Sequence, residues 1–231
     1  MKKLILILNG KGGVGKSFFA VNFVQYLKDK GIEHVAIDSD NENSTLKRFH
    51  PDAQFIDLEN RRALDGIFNA LEKSSLVVMD CRAASTDLLI NYFAEIKLPA
   101  VLTALNASLS LVMPVNHESD SVDQVQRLVD QFGENCGYVV VRNASHSESF
   151  ALFESSEVRG QLMDKLDGQE ISMSRMQDWL VELLNAENLT IAAALKHPAF
   201  GLLDRQRLQT WRQKLYEGIE SASHLLFPPK S

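Results

Sequence analysis

Short apolar runs alternate with amphipathic stretches along most of the chain. The first run, Leu4–Asn9, predicts a buried strand that enters a glycine-rich turn. The stretch after the turn places apolar residues at helical spacing and stops before Gly31. These apolar residues are Phe19, Phe23, Val24 and Leu27. The opening of the chain therefore predicts a strand, a loop and a helix in that order.

The same alternation continues through the middle of the sequence. Further strands are predicted at His34–Ile37, Gln54–Ile56, Leu76–Met79, Leu109–Val115 and Tyr138–Val141, with one more at Ile171–Met173. Between them, apolar residues at helical spacing predict two helices, on Leu64, Ile67, Phe68 and Leu71, and on Val122, Val125, Leu128, Val129 and Phe132. Strands that alternate with helices predict a doubly wound, mainly parallel α/β sheet.

The last third of the chain is predicted to be rich in helix. Trp179–Leu184 forms one predicted helix, and a second has Leu208, Trp211, Leu215, Ile219 and Ala222 along one face. The sequence contains no internal repeat and no low-complexity linker. We therefore predict that residues 1–231 form a single domain.

Composition narrows the class of protein. The chain has 231 residues, 45% of them apolar, which is enough to build a full core. Its two cysteines, Cys81 and Cys136, are too few for a disulfide framework or a CxxC metal pair, and this favours the reducing cytoplasm. No stretch reaches the roughly 18 uninterrupted apolar residues of a membrane span, so membrane association is not expected. A net charge of −6 gives no general footprint for nucleic acid.

One motif carries the chemistry. Gly10-Lys11-Gly12-Gly13-Val14-Gly15-Lys16-Ser17 satisfies the pattern GxxxxGKS, and it lies between a predicted strand and a predicted helix, as a P-loop requires. Glycines let backbone N–H groups approach phosphate oxygens, and the helix N-terminus adds a favourable dipole. Lys16 is expected to reach the β- and γ-phosphates, and the Ser17 hydroxyl to bind Mg²⁺. We predict that residues 10–17 and Phe18 bind nucleotide; the alternative is a glycine-rich turn without a ligand.

The loop also resembles a particular family. Lys11-Gly12-Gly13-Val14-Gly15-Lys16-Ser17 matches the deviant Walker A signature KGGxGK[ST] of the ParA/MinD ATPases, and strand order is similar over about residues 1–145. The resemblance implies a P-loop NTPase fold of the SIMIBI type and an ATPase that uses ATP and Mg²⁺. It also implies a homodimer in which Lys11 contacts the partner's ATP, where a second cation would stabilise transition-state charge. The alternative for Lys11 is a merely exposed lysine.

Two aspartates follow the second predicted strand. The resemblance implies that Asp40 positions the attacking water and that Asp38 supports the Mg²⁺ shell or the switch, so Lys11, Lys16 and Asp40 are the predicted catalytic residues. The alternative is an Asp-rich turn that caps a helix beginning near Ser44. The segment after Asp40 is Asn-Glu-Asn-Ser, where the family usually has Pro-Gln-Gly-Asn. This departure leaves the rate of hydrolysis open.

Two more polar residues end later strands. Asp80 fits a Walker B aspartate, so Ser17, Asp38 and Asp80 are the predicted Mg²⁺ residues. Asn143 follows another strand, where the resemblance implies an asparagine at the adenine edge; a turn asparagine is almost equally compatible. The residues after Asp80, Cys81-Arg82-Ala83-Ala84-Ser85, lack the family's common prolines or glycine. Cys81 is expected to be a packed thiol because no histidine lies close in sequence to activate it.

The simplest function is ATP hydrolysis coupled to dimerisation. The resemblance implies a role in plasmid or chromosome partitioning or in cargo positioning, with an activating partner protein and non-specific DNA. Arg205–Lys214 could form a modest DNA-binding patch, but a solvated amphipathic helix fits its composition better. The tail Leu225–Pro229 is too short for a membrane-targeting helix. The alternatives are a dethiobiotin-synthetase-like ligase, a metal or iron–sulfur carrier, which the missing CxxC disfavours, and a nucleotide-binding regulator without catalysis.

Overall fold

The computed structural model describes residues 1–229. In this part of the chain seven strands form one sheet in the order β3-β2-β4-β1-β5-β6-β7, and every neighbouring pair is parallel. The strands are β1 (Lys2–Ile7), β2 (Val35–Asp38), β3 (Gln54–Phe55), β4 (Leu76–Asp80), β5 (Ala107–Val115), β6 (Gly137–Asn143) and β7 (Gln169–Met173). The predicted doubly wound parallel sheet is confirmed, and each predicted strand is found within a few residues of its expected bounds.

Helices cover both faces of the sheet. The longer ones are α1 (Lys16–Asp29), α3 (Arg61–Lys73), α4 (Thr86–Glu95), α6 (Ser119–Phe132), α8 (Glu157–Lys165), α9 (Asp178–Ala186) and α11 (Leu202–Ser221). The shorter ones are α2 (Thr45–Phe49), α5 (Leu98–Ala104), α7 (Ala151–Glu154), α10 (Ile191–Ala194) and α12 (Ser223–Leu226). No helix within residues 1–229 is both long and apolar enough to cross a membrane.

The core has two halves because successive side chains of a strand point to opposite faces of the sheet. Along β1, Leu4 and Leu6 pack with α3, α4 and α6, whereas Ile5 and Ile7 pack with α1, α9 and α11. Such strands are buried on both faces, which explains their nearly continuous apolar runs. β1 lies in the middle of the sheet. The two helical layers cover the faces of the sheet, and the site lies at the carboxyl ends of the strands.

The apolar stretch that precedes and includes β5 divides into two elements that periodicity did not separate. Pro99 lies in the first turn of α5, where its missing N–H costs nothing. Asn106 then adopts a left-handed conformation with φ of 49°, which ends the helical turn and lets the chain enter β5. Periodicity did not predict α4 or α5, although each buries one side, through Leu89 and Phe93 in α4 and through Leu98 and Leu102 in α5.

The helix-rich end of the chain packs on the sheet as expected. Leu208, Trp211, Leu215 and Ile219 are the buried residues of α11. The Trp211 indole donates a hydrogen bond to the Ser174 carbonyl at 2.7 Å and packs edge-on against Phe18. This helix therefore supports the loop after β7 and the start of α1. Lys230 and Ser231, the last residues of the predicted 1–231 domain, lie outside the described residues.

Candidate nucleotide and magnesium site

The glycine-rich loop joins the central strand β1 to the start of α1. Gly13 and Gly15 have positive φ angles of 77° and 95°, which side-chain-bearing residues rarely adopt. Gly15 is the N-cap of α1, and no side chain accepts a hydrogen bond from the first helical turn, which also contains no acidic residue. The N–H groups and the dipole of this helix are therefore available to an anion.

Lys16 lies inside the loop and not in solvent. Its side chain is buried, and Nζ donates a hydrogen bond to the Lys11 carbonyl oxygen at 2.9 Å. Burial lowers the pKa of Lys16, while the nearby Asp80 acts in the opposite direction. A buried ammonium held by one carbonyl has two further N–H donors for phosphate oxygens.

Asp80 is the electrostatic anomaly of the site. It lies at the end of β4, beside Ile7 of β1, and both carboxylate oxygens are buried without a hydrogen-bond partner. Burial raises the pKa of Asp80 to about 7, and the Ser17 hydroxyl is close enough to lower it without making a hydrogen bond of ordinary geometry. A buried carboxylate without partners is costly unless a cation or donor joins it.

These residues fit the predicted magnesium ion. Mg²⁺ binds through one or two carboxylates together with phosphate oxygens and waters, so it does not need a cage of protein ligands. Within residues 1–229 no cluster of three or more His, Cys, Asp and Glu residues could hold a metal by itself. Ser17 and Asp80 would hold the ion, and its charge would offset that of the phosphates.

Asp38 and Asp40 are both tied to the backbone that follows β2. Asp38 is fully buried, and its two oxygens accept from the N–H groups of Asp40 and Lys47, each at 2.9 Å. Burial raises the pKa of Asp38, although these two hydrogen bonds act to lower it. Asp38 therefore accepts a hydrogen bond from the first turn of α2, the helix that Ser44 precedes. This contact agrees with the alternative in which the Asp-rich segment caps that helix.

The Asp40 carboxylate closes a tight turn. It accepts from the N–H groups of Glu42 at 2.9 Å and Asn43 at 3.2 Å. Burial acts to raise the pKa of Asp40, but these backbone bonds, the Asn43 amide and the Arg82 guanidinium outweigh it, and the pKa is lowered. The carboxylate is thus ionised and oriented, but in this conformation it holds its own loop.

Asn143 lies beneath the glycine-rich loop at the end of β6. Its Nδ2 donates to the Val14 carbonyl at 3.0 Å, and its Oδ1 accepts from the Ser145 N–H at 3.1 Å. A Cβ on Gly15 would lie 2.4 Å from Nδ2, so only glycine permits this approach. Asn143 therefore positions the loop, a contact that the sequence did not predict for it.

Two adjoining cavities share Gly13, Gly15 and Phe18. The first, which we call the phosphate cavity, has a volume of about 350 Å³. It is lined by Gly12, Gly13, Gly15, Lys16, Ser17, Phe18, Asp40, Asn43, Thr45, Cys81, Arg82 and Ala83. The second, which we call the base cavity, has a volume of about 550 Å³ and is also lined by Asn143 and by residues after β6 and β7. The two cavities meet at Gly13, Gly15 and Phe18, and the base cavity is the less polar of the two.

The structure places Lys11 against the start of α6. Its Nζ lies 3.0 Å from an Asp120 carboxylate oxygen and 3.2 Å from one of Glu118. Hydrogen bonds to Asp120 and Glu118 raise the pKa of Lys11. Lys11 is therefore charged and held by its own subunit in this conformation.

Sequence reasoning missed several residues of the site. It did not assign Glu118 and Asp120 as partners of Lys11, although both closely follow the end of β5 at the same sheet edge. It also gave no role to Arg82 or to the loop at 174–176 after β7, which lines the base cavity. The signal available was position: every one of these residues follows the carboxyl end of a parallel strand.

The glycine-rich loop, the uncapped helix and the acidic end of β4 define a P-loop nucleotide-binding fold. The sequence profile of the family described as the CobQ/CobB/MinD/ParA nucleotide binding domain matches residues 5–222, and the chain belongs to this family. ParA and MinD proteins are P-loop ATPases. The predicted family and fold are thus confirmed.

Individual relatives span the same length. Protein MobD of Acidithiobacillus ferrooxidans is 27% identical over 229 residues, which cover 96% of this chain and 99% of MobD. Protein TraL of Escherichia coli is 26% identical over 251 residues, which cover 97% of this chain and 100% of TraL. The septum site-determining protein MinD of Pyrococcus horikoshii OT3, solved with Mg-ADP, shares the fold with a TM-score of 0.57 and 16% identity, covering 96% of this chain and 98% of MinD.

Proposed function

We propose that this protein is a Mg²⁺-dependent ATPase that forms a homodimer when ATP is bound. The observation that carries the proposal is the buried Asp80 carboxylate, which has no hydrogen-bond partner and adjoins Ser17, a residue that lines the phosphate cavity. The loop, Lys16 and the start of α1 support the same proposal, because they supply N–H donors for phosphates next to that carboxylate. The solved Mg-ADP complex of P. horikoshii MinD supports the choice of nucleotide and ion.

Each residue has a defined task in this proposal. The backbone of residues 10–17 and Lys16 bind the phosphates, and Ser17 and Asp80 hold Mg²⁺, with Asp38 as an outer support. The base enters the cavity beyond Phe18, where Asn143 reaches it with the amide hydrogen and lone pair not used in the present bonds. Asp40 orients the attacking water after its turn opens.

The dimer requires a change of partner for Lys11. In the single chain its ammonium pairs with Glu118 and Asp120, and the lysine side chain is one-third exposed. Exposed ion pairs contribute little to stability because water screens them, so a triphosphate brought by a second subunit competes well for this lysine. The two P-loops would then face each other, with each Lys11 at the partner's nucleotide.

Light scattering during size-exclusion chromatography tests this function. With ATP and Mg²⁺, the wild-type mass is expected to double, and Lys11→Ala is expected to remain a monomer while it still binds nucleotide. Lys47→Ala serves as a control, because its side chain lies outside the residues proposed to bind nucleotide. A wild-type monomer in ATP, ADP and nucleotide-free buffer would contradict the dimer, and absence of phosphate release would contradict the ATPase.

One observation favours a second function, that of a nucleotide-binding regulator without catalysis. The Asp40 carboxylate is occupied by the N–H groups of Glu42 and Asn43, in the segment that departs from the family's usual sequence. If this turn never opens, no carboxylate is available to orient water. Phosphate release by the wild type that is lost in Asp40→Ala, with ATP binding retained, would exclude the regulator.

The cellular role is proposed from the family resemblance. ATP-dependent dimerisation would serve plasmid or chromosome partitioning or cargo positioning in the cytoplasm, with an activating partner protein. Non-specific DNA is part of this proposal, although Arg205, Arg207 and Arg212 of the suggested patch each contact groups of their own chain. Adding duplex DNA to the ATP-bound dimer in the same chromatography run tests it, and co-elution at low salt is the expected result.

A further inference from the structure

Arg82 brings a side chain to the phosphate cavity that the proposed function has not used. It follows Asp80 by two residues, and its backbone N–H donates to the Ser39 hydroxyl at 3.0 Å. That hydroxyl in turn donates to the Asp80 carbonyl at 2.9 Å. The backbone of Arg82 is thereby fixed to the ends of β2 and β4, at the rim of the cavity that also contains Lys16.

The guanidinium pairs with one acidic side chain and lies near a second, on two different loops. It forms an ion pair with Glu59, whose side chain is 64% exposed, whereas only 24% of the Arg82 side chain is exposed. It also lies near enough to Asp40 for its positive charge to lower the pKa of that carboxyl group. An ion pair with an exposed glutamate is weak, so a phosphate can replace Glu59 as the partner of the guanidinium. The five N–H donors of the guanidinium can serve the phosphate oxygens in place of the carboxylate.

The position of Arg82 along the cavity selects a particular part of a nucleotide. The base cavity and the phosphate cavity meet at Gly13, Gly15 and Phe18, so a phosphate chain that starts at the base passes this point first. Asp40 and Arg82 line the phosphate cavity but not the base cavity. The last phosphate of a triphosphate would therefore come nearest to them, and a diphosphate would end before it.

We propose that Arg82 recognises the terminal phosphate of the nucleoside triphosphate bound in its own subunit, and that Glu59 holds the guanidinium when that phosphate is absent. The inference rests on the proposed function, because it assumes that the P-loop binds nucleotide. Arginine suits the task, since its planar donors match a phosphate group in a bidentate manner. Movement of Arg82 towards the phosphate would also remove a positive charge from Asp40 and so couple the triphosphate to the loop after β2.

Calorimetric titration of the full chain with Mg²⁺ and either a non-hydrolysable ATP analogue or ADP tests the inference. Arg82→Ala is expected to weaken binding of the triphosphate analogue by about ten- to a hundredfold, the range for loss of one charge-assisted hydrogen bond, and to change ADP binding less than threefold. Arg82→Lys should recover part of the loss. Repeating the titrations with Lys11→Ala removes any contribution of a partner's lysine.

Matched variants separate recognition from structure. Glu59→Gln should leave triphosphate affinity unchanged or raise it, since it only frees the guanidinium. Arg61→Ala removes the exposed ion pair with Glu95 and should change neither affinity. The inference alone would be overturned if Arg82→Ala left the ratio of triphosphate to ADP affinity unchanged. It would also be overturned if Glu59→Gln lost as much triphosphate affinity as Arg82→Ala. Failure of the wild type to bind either nucleotide would overturn the proposed function and this inference together.

Discussion

Replacement of Asp80 by asparagine is expected to stabilise the nucleotide-free protein. The carboxylate is fully buried without a hydrogen-bond partner, and burial raises its pKa from 3.8 to about 7. The folded state therefore holds the proton more tightly than the unfolded state. The contribution of Asp80 to the free energy of unfolding is therefore fully present below pH 3.8. It is lost as the pH rises towards 7, because the carboxylate must then ionise in a buried site.

The size of the effect follows from the shift. A difference of about three pKa units corresponds to a cost of roughly 4 kcal/mol at pH 8, taken as an upper limit. The asparagine amide is neutral but places its own polar atoms in the same site, which costs about 1–3 kcal/mol. The balance favours Asp80→Asn by about 2 kcal/mol at pH 8, or roughly 4–8 °C in Tm for a chain of this length.

Urea unfolding in EDTA, without nucleotide, measures this difference directly. The advantage of Asp80→Asn over the wild type should grow by about 2.5 kcal/mol between pH 5 and pH 8. Mg²⁺ should then increase ADP affinity in the wild type but not in the variant. Asp38→Asn is the control, since it removes a buried carboxylate whose oxygens accept two backbone N–H groups, and it should destabilise the protein. Lower stability of Asp80→Asn at pH 8, or an advantage independent of pH, would refute the reasoning.

Three further predictions concern the P-loop and its surroundings. Gly15→Ala should lower stability by about 1–3 kcal/mol and weaken nucleotide binding, because φ is 95° and the new Cβ would meet Asn143, as thermal melts and titration would reveal. Asn143→Ala should lose about 1 kcal/mol of stability and bind both ADP and ATP more weakly, because the loop loses its bond to β6. Glu118→Gln combined with Asp120→Asn should increase the dimer fraction at limiting ATP several-fold in light scattering, because Lys11 is released from its own subunit.

Controls for these variants lie in the same chain. Gly31 has a φ of 63°, and beyond its chain neighbours no atom lies within 4 Å of the position that a Cβ would take, so Gly31→Ala reports backbone strain alone. Nucleotide affinity equal in Gly15→Ala and Gly31→Ala would contradict the close approach of Asn143. A dimer fraction that is unchanged when Lys11 loses both acidic partners would show that this pairing does not restrain dimerisation.

The amino-acid sequence by itself determined the class of fold and the location of the phosphates. Apolar runs alternating with amphipathic stretches are local signals of strand and helix, and GxxxxGKS between them specifies a backbone conformation through its glycines. Aspartates at the ends of parallel strands could be assigned to one sheet edge for the same reason. Such features depend on neighbours along the chain, so one sequence is sufficient to find them.

Tertiary structure alone decided which partners the site residues have. Lys11 and Asp120 differ by 109 in residue number, and Val14 and Asn143 by 129, and no periodic signal in the sequence predicts a contact over such separations. The pairings arise because β5 lies beside β1 and β6 lies beside β5, so the segments that follow these three parallel strands meet at the carboxyl ends of the strands. Likewise, the isolation of the Asp80 carboxylate is a property of everything packed around it, since desolvation depends on the whole fold and not on the local sequence.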